Sequence, residues 1–576
     1  MAEAVDVDLL VIGSGAAGMT AAVVAATGGQ RVLVLEKAEV VGGSTAYSGG
    51  VCWVPGSHLA RRAGVDDGVE RALVYLRACL GDRFDEVRLT RYLMLAAEAV
   101  EYLESHSEVA FLLRTTTPDY FSERDGGTAG GRALEVLPYD ARALGPRLAD
   151  VRTPPPEYLV LGGMMVTVTD ANKILARYRS WDAFRHTISL VARYAQDRLA
   201  FRRRGTRLVV GNALAARFYA SLLKLGVPVW RSTHVTRLLV EDGHVIGVSA
   251  VRDGQSIAIR ARNGVVLATG GYPHSRSLRE RYFTAGAPDY SATPESLTGD
   301  GIALALEAGA AMGPLPSTPA FWSPVSIVRR ADGTHWNFPH LMMDRSKPGV
   351  IAVNALGERF VNESTNYHDF TQAMMRQEET TGSGAAFLVT SQQHLDRYCF
   401  GFSYPGAGWQ RRLVDSGYML RGDSLHVLAS QMQVPVDRLS RTVERFDRDA
   451  ASGGDPAFGK GSTPYNRCLG DPSHEPNPCL APLGKGPYYA IALRAGDIGT
   501  CHGLHTDLDA RVLDDSGAPI EGLYACGNDM NSVMAGLYPG PGITLGPAIA
   551  FGYAAARHAA GQAVRRGQSQ HIPSTD

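Results

Sequence analysis

"DLLVIGSGAAGMTAAVVAATGGQRVLVLE", residues 8 to 36, decides the fold. "DLLVIG" is a short apolar run that reads as a buried strand, "SGAAGMTAAVVAATG" reads as a helix closed by Gly28 and Gly29, and "RVLVLE" reads as a second strand. Strand, helix and strand in that order form a βαβ unit. Gly13, Gly15 and Gly18 supply G-x-G-x-x-G at its first turn, and Glu36 follows roughly 20 residues further on. Gly13 makes the tight turn, Gly15 lets the backbone approach a pyrophosphate, Gly18 allows close helix packing, and Glu36 can accept hydrogen bonds from a ribose. One glycine turn alone would be weak evidence. Strand, glycines, helix, strand and acid in sequence point to a dinucleotide.

The segments around this unit choose between NAD and FAD. "EKAEVVGGSTAYSGGVCWVPG" continues from Glu36 as a second glycine-rich loop, and such loops supply backbone N–H groups to the phosphates and ring of a flavin. "GVVLATGGYPHS", from Gly264, is a strand ending in Gly270 and Gly271; "EGLYACGNDMNS", from Glu521, is a strand ending at Gly527 and Asn528. Both are similar to stretches placed around the cofactor in the glutathione-reductase-type FAD fold. The expected class is therefore mixed α/β: a Rossmann-like FAD-binding domain from residues 1–280 and 497–576, with a catalytic domain, residues 281–496, inserted between them.

A chain of 576 residues exceeds what one core usually supports, in keeping with two domains. Its 45% hydrophobic and 20% charged residues are ordinary for a globular protein, and a formal net charge of -1 offers no field for nucleic acid. None of the seven cysteines forms a C-x-x-C pair, which fits reduced thiols in a cytosolic setting better than disulfides or a zinc site. No secretory signal and no apolar run of membrane-spanning length is present. The polar tail "RRGQSQHIPSTD" reads as disordered.

Residues 173–207 depart from this even charge. Ten basic residues (Lys173, Arg177, Arg179, Arg185, Arg193, Arg198, Arg202, Arg203, Arg204 and Arg207) face two acids, Asp182 and Asp197. Ile174, Tyr178, Trp181, Phe184, Ile188, Val191, Ala195 and Leu199 recur at helical spacing, so the insertion at about 165–207 is a basic amphipathic helix. Two readings stay open: peripheral contact with the cytoplasmic membrane face, or packing against its own domain or a second subunit.

The chemistry concentrates in "ALGERFVNESTNYHDFTQAM", from Ala355. Gly357, Arg359, Phe360, Asn362 and Glu363 resemble the G-x-R-F-x-N-E segment of the fumarate reductase and succinate dehydrogenase flavoproteins. In the dicarboxylate enzymes an arginine follows the N-E pair four residues on; here that position is Tyr367. Near the C-terminus a second expected arginine gives way to "GLYPGPG". Phenols in place of two carboxylate-binding guanidiniums suggest a neutral carbonyl substrate.

That pattern is similar to the 3-ketosteroid Δ1-dehydrogenases over nearly the whole chain: "GGSTAYSGG", "WVPG", "PDYF", "LTGDGIALA", "RFVNESTNYHDF", "GDIGT", "GLYACGN" and "YPGPG" fall in family order. The resemblance implies catalytic roles for Tyr120, Tyr367, Tyr538 and Gly542. Tyr538 and the Gly542 N–H would hold the C3 carbonyl oxygen, Tyr367 would take a proton from C2, and Tyr120 would support its anion. For FAD it implies Gly13, Ser14, Gly15, Ala16, Ala17, Gly18, Glu36 and Lys37; Gly43, Ser44, Thr45, Ser48, Gly49 and Gly50; Val235, Thr269, Gly270 and Asp300; and Gly527, Asn528, Thr544 and Leu545. The loop lacks the histidine by which succinate dehydrogenases attach FAD covalently, so non-covalent FAD is expected, with electrons leaving to an external, quinone-type acceptor. A 4(5)-dehydrogenase or enone reductase is the alternative; a dicarboxylate reductase or a non-catalytic flavoprotein fits less well. His502, in the unusual "TCHGLHTD", fits either a place near the flavin or a buried histidine without catalytic work.

Overall fold

The computed structural model describes residues 5–200, 204–283, 289–330, 332–341 and 344–562. Arg202 and Arg203 of the basic segment, and the tail expected to be disordered, lie outside the described residues.

The opening stretch folds as its pattern dictates. Leu9–Ile12 and Val32–Leu35 are fully buried strands, pair in parallel, and flank the helix Ala16–Thr27. Burial on both faces explains why these strands read as continuous apolar runs. Val265–Leu267 pairs in parallel with Leu9–Ile12 on one side and with Pro519–Ala525 on the other. Residues more than 500 apart in sequence thus share one six-stranded sheet. A four-stranded sheet built on the meander Thr233–Glu241, His244–Arg252 and Gln255–Ala261 lies beside it, with Val5–Val7 at its edge.

The middle of the chain forms a separate six-stranded sheet from Ala320–Arg329, His335–Pro339, Val350–Asn354, Ala386–Ser391, Leu420–Gly422 and Tyr488–Thr500. The expected boundary at 496 falls inside Tyr488–Thr500, which pairs with Ala320–Arg329 as far as Thr500. The strand runs on through Gly496, Asp497 and Gly499, its pairing interrupted by an irregularity between Ala320 and Trp322. Asp497 is buried there and joins the two regions, accepting from Arg279 Nη1 at 2.8 Å and Ser291 Oγ at 2.7 Å.

The C-terminal helix Leu545–Ala559 packs on Ala16–Thr27 through small residues; a Cβ on Gly552 would lie 2.5 Å from the Ala17 carbonyl oxygen. The basic segment contains two helices, Val168–Leu175 and Trp181–Leu199. The second rests on its own chain through Ala183, Leu190, Tyr194 and Asp197. Its aromatic stripe points the other way: Tyr178 is 82% exposed, Trp181 72% and Leu199 79%, and Phe184, Ile188 and Val191 are also exposed. Ile174 of the stripe packs on Met164, Leu190 and Tyr194 of its own chain, while the remainder faces away from it. Among the described residues no helix is long and apolar enough to cross a membrane.

Candidate active site

Backbone builds the nucleotide half of the site. Gly13 has φ 105°, and a Cβ there would lie 2.1 Å from the Ala268 carbonyl oxygen; a Cβ on Gly18 would lie 2.1 Å from the Gly13 carbonyl oxygen. Packing inside the protein fixes both residues. Gly15 differs, because the nearest atom to its Cβ would be Thr45 Oγ1 at 3.6 Å. Its missing side chain relieves no clash; it leaves space at the N-terminus of Ala16–Thr27. A helix N-terminus with open space before it suits a pyrophosphate, so the residues present fit a dinucleotide.

That space opens on a cleft of about 670 Å³. Gly13, Ser14, Gly15, Glu36, Lys37, Gly43, Ser44, Val235, Thr269, Gly270 and Asp300 all line it. The Glu36 carboxylate accepts from Ser14 N–H at 3.1 Å, Ser14 Oγ at 2.5 Å and Ala38 N–H at 2.8 Å. Lys37 Nζ reaches Asp300 Oδ2 and Thr298 Oγ1, each at 2.6 Å. A second cavity of about 320 Å³ takes Gly527, Asn528 and Thr544 into its wall, with Phe321 and Cys501.

Ala16, Ala17, Gly18, Thr45, Ser48, Gly49, Gly50 and Leu545 line neither cavity. Ala16 N–H donates to Thr45 Oγ1 at 2.9 Å, and Ser48 Oγ donates to the Thr45 carbonyl at 2.8 Å while accepting from Gly50 N–H at 3.2 Å. Gly49 is exposed, with nothing within 4 Å of its Cβ position. Leu545 is buried at the start of the C-terminal helix. Sequence reasoning passed over Asp529, although it directly follows Gly527 and Asn528. Its buried carboxylate accepts from Thr269 N–H, from Thr269 Oγ1 at 2.9 Å and from Gly271 N–H at 2.8 Å, clamping two strand ends together.

The second half of the site is aromatic. Tyr120, Tyr367 and Tyr538, which lie far apart in sequence, meet in one buried cluster. Ring centroids are 5.9 Å apart for Tyr120 and Tyr367, 5.7 Å for Tyr120 and Tyr538, and 5.0 Å for Tyr367 and Tyr538. The Tyr120 hydroxyl donates to that of Tyr367 at 3.4 Å. Two members were missed in sequence. Tyr465 lies tilted against Tyr120 with ring centroids 4.6 Å apart and its buried hydroxyl has no partner among the described residues, while Phe321 meets Tyr538 edge-on at 5.4 Å. Tyr465 lies in the short helix Pro464–Leu469, outside any motif.

Each phenol is anchored from behind. Tyr120 follows Asp119, which accepts from Trp53 Nε1 and from Arg132 Nη1, each at 2.8 Å; Arg132 also grips Asp67. Tyr120 N–H donates to the Pro539 carbonyl at 3.0 Å, and the Tyr75 hydroxyl to the same oxygen at 2.5 Å, tying the Tyr120 loop to the Tyr538 loop. Gly542 has φ 90°, and a Cβ there would lie 2.3 Å from the Val51 carbonyl oxygen. Its N–H donates to no described protein atom. Tyr367 opens the helix Tyr367–Thr381, capped by Asn366 accepting from Asp369 N–H at 2.9 Å. The motif residues Arg359 and Glu363 form a buried ion network with Asp455 and Lys460 instead of joining the phenols.

Burial raises the proton affinity of every phenol here. Tyr120 and Tyr367 are pushed well above the ordinary value, first by desolvation and then by neighbouring phenols. Tyr538 is raised by burial, against hydrogen bonds from Tyr367 and Thr544. His368 accepts from Trp322 N–H at Nδ1, 3.0 Å, and burial lowers it to about 3, so it stays neutral. His502 is also buried, with Nε2 3.0 Å from the Gly313 carbonyl.

A dinucleotide cleft beside a buried cluster of phenols defines a flavoprotein oxidoreductase. The FAD binding domain family model matches residues 8–545. Over 573 residues the chain is 38% identical to a 3-oxosteroid 1-dehydrogenase of Mycobacterium tuberculosis, covering 97% of this chain and 99% of that relative. The crystal structure of 3-ketosteroid Δ1-dehydrogenase from Sterolibacterium denitrificans, in complex with 1,4-androstadiene-3,17-dione, superposes with a TM-score of 0.89 at 37% identity, covering 96% of this chain and 99% of that one. A 4-oxocyclohex-2-ene-1-carboxylate 5-dehydrogenase of Sinomonas cyclohexanicum is 36% identical, covering 98% of this chain and 95% of that relative. The chain belongs to the FAD-dependent 3-oxosteroid 1-dehydrogenase family.

Proposed function

We propose that the protein is a 3-ketosteroid Δ1-dehydrogenase, which introduces a C1–C2 double bond beside a C3 ketone. The convergence of Tyr120, Tyr367 and Tyr538, together with the unengaged N–H of Gly542 four residues beyond Tyr538, carries this reading. The C2 proton is acidic only if the carbonyl oxygen can take up negative charge. Tyr538 O–H and Gly542 N–H donate to that oxygen, and removing one such donor typically costs ~2.7–4 kcal/mol of barrier. Tyr367, as phenolate, takes the C2 proton, and Tyr120 donates to it. FAD, held without a covalent link, would supply the acceptor for the hydride leaving C1, with a quinone-type compound as the external electron acceptor. In the cofactor cleft, Glu36 would hold the ribose and the turn at Gly15 the pyrophosphate.

Anaerobic mixing with a panel of ketones tests the reading. A 4-ene-3-ketosteroid should bleach the flavin and yield the 1,4-dien-3-one; bleaching by 4-oxocyclohex-2-ene-1-carboxylate alone would move the substrate class to that of the Sinomonas relative. Desaturation at C4–C5 would indicate a 4(5)-dehydrogenase.

The exposed stripe of Trp181, Phe184, Ile188 and Val191, flanked by arginines, supports docking on an anionic membrane face. Sedimentation with anionic vesicles should carry the wild type down and leave Trp181→Ser/Ile188→Ser in the supernatant. A wild type that stays in the supernatant at low salt would end this reading.

A further inference from the structure

Behind the phenols lies a cation that the motif reading did not use. Arg345 is 0% exposed, and its described hydrogen bonds all end on backbone carbonyls. Nε donates to His340 at 2.9 Å and Nη2 to Leu341 at 2.7 Å; Nη1 donates to Glu363 at 2.8 Å and Thr365 at 3.1 Å. Glu363 and Thr365 form the turn leading into Tyr367, and the guanidinium also covers the Phe370 ring at 4.7 Å, one turn further along that helix. One side chain therefore spans the start of the helix whose first residue is the base.

Its charge is not neutralised in place. Arg345 makes no ion pair with the described residues: Asp344 is engaged by His340 Nδ1 at 2.5 Å and by Gly401 N–H at 3.0 Å, and Glu363 is shared between Arg359 and Lys460. A buried guanidinium donating only to neutral carbonyls stays charged and projects its potential through a medium of low dielectric.

We propose that Arg345 is a positioning residue for this desaturation: it fixes the turn that aims Tyr367 and supplies the positive potential that lets the phenol cluster hold a phenolate. The inference rests on the proposed dehydrogenase reading. The proton affinities agree, since Arg345 works against the burial that raises Tyr465, the ring in contact with Tyr120. The other groups facing the cluster are Tyr120 and Tyr538 from their loops, Tyr465 and Cys468 from 464–469, and His368 and Asp369 from the Tyr367 helix. Arg114 lies beyond Tyr120, and burial keeps His368 neutral. Of these, Arg345 is the buried cation hydrogen-bonded to the Tyr367 turn itself.

The test is the pH profile of flavin reduction by a 3-ketosteroid, read on FAD-loaded enzyme. In Arg345→Gln the alkaline-rising limb should move up by roughly one pH unit, the scale of a nearby opposite charge, with a further loss of rate at its plateau. Arg345→Lys should keep the wild-type limb at a lower plateau. Asp344→Asn removes the adjacent negative charge and should move the limb the opposite way, deciding the matter should Arg345→Gln not fold. Limbs that coincide with wild type in Arg345→Gln and Asp344→Asn, or that move in the same direction, overturn the role of Arg345. Absence of flavin reduction by any ketone in the wild type would overturn the dehydrogenase reading instead.

Discussion

The two halves of the site are held by opposite means. The nucleotide cleft is backbone: glycines that cannot accept a Cβ, strand ends clamped by Asp529, and a helix N-terminus left open. The phenol cluster is side chain: its rings come from separate segments and are held by buried ions, a shared carbonyl at Pro539 and aromatic contact. Backbone sites tolerate few substitutions but reveal themselves in sequence, because glycine spacing is local. Side-chain sites tolerate substitutions structurally and lose chemistry instead. Variants on each side can break or sharpen this contrast.

The largest effect belongs to the cleft. Gly13→Ala forces a Cβ to 2.1 Å from the Ala268 carbonyl oxygen at a positive φ, and should cost roughly 3–5 kcal/mol of stability, leaving little folded protein. Gly15→Ala meets nothing closer than 3.6 Å, so the apoprotein should melt near the wild-type temperature while FAD affinity falls. Calorimetry of both apoproteins with an FAD titration checks this. If Gly15→Ala melts as early as Gly13→Ala, the distinction between packing glycine and ligand-facing glycine is wrong.

Next come the phenols, where the fold should survive and the chemistry should not. Tyr367→Phe removes the proposed base and should slow flavin reduction ~10²–10⁴-fold; Tyr538→Phe removes one proposed carbonyl donor and should slow it ~10²–10³-fold. Both should retain FAD, because neither residue lines the cleft. Stopped-flow flavin bleaching, with visible absorbance as the measure of FAD content, reads the two quantities separately. Loss of FAD from Tyr367→Phe would mean that the halves are coupled and the contrast false.

How much of this could be read in advance follows the same division. The βαβ unit, the return of the chain at Val265–Leu267 and Pro519–Ala525, and the glycine-turn part of the cleft at Gly13, Gly15 and Gly43 were legible because each depends on a short pattern with a fixed backbone consequence; Thr233 and His234, which also line the cleft, lie outside any such pattern. Tyr120, Tyr367 and Tyr538 were legible through motif order, not through any periodicity. Tyr465 and Arg345 were not: what makes them notable is proximity across long loops, and nothing local distinguishes a buried tyrosine near Tyr120 from one that merely packs. The outward turn of the Trp181 stripe was undecided for a similar reason. A helix carries its apolar spacing whether its partner is the same chain or something else.

The smallest effect at working pH comes from the buried environment that the phenols share with His368. Its imidazole is lowered to about 3 by desolvation, so the folded protein refuses a proton that the unfolded chain accepts below its ordinary value of 6.5. A depressed folded pKa means that the stability is fully present above 6.5 and is lost as pH falls toward about 3. Within that window the loss from this one group approaches about 1.4 kcal/mol per pH unit. His368→Gln can still accept from Trp322 N–H but cannot take up the proton, so its melting temperature should fall less steeply with acid than that of the wild type, with equal values near pH 7 only if the amide satisfies that donor. Melting curves across the acid range check the slope. Parallel slopes would show that acid lability arises elsewhere, His394 being the first alternative because burial lowers it to about 4.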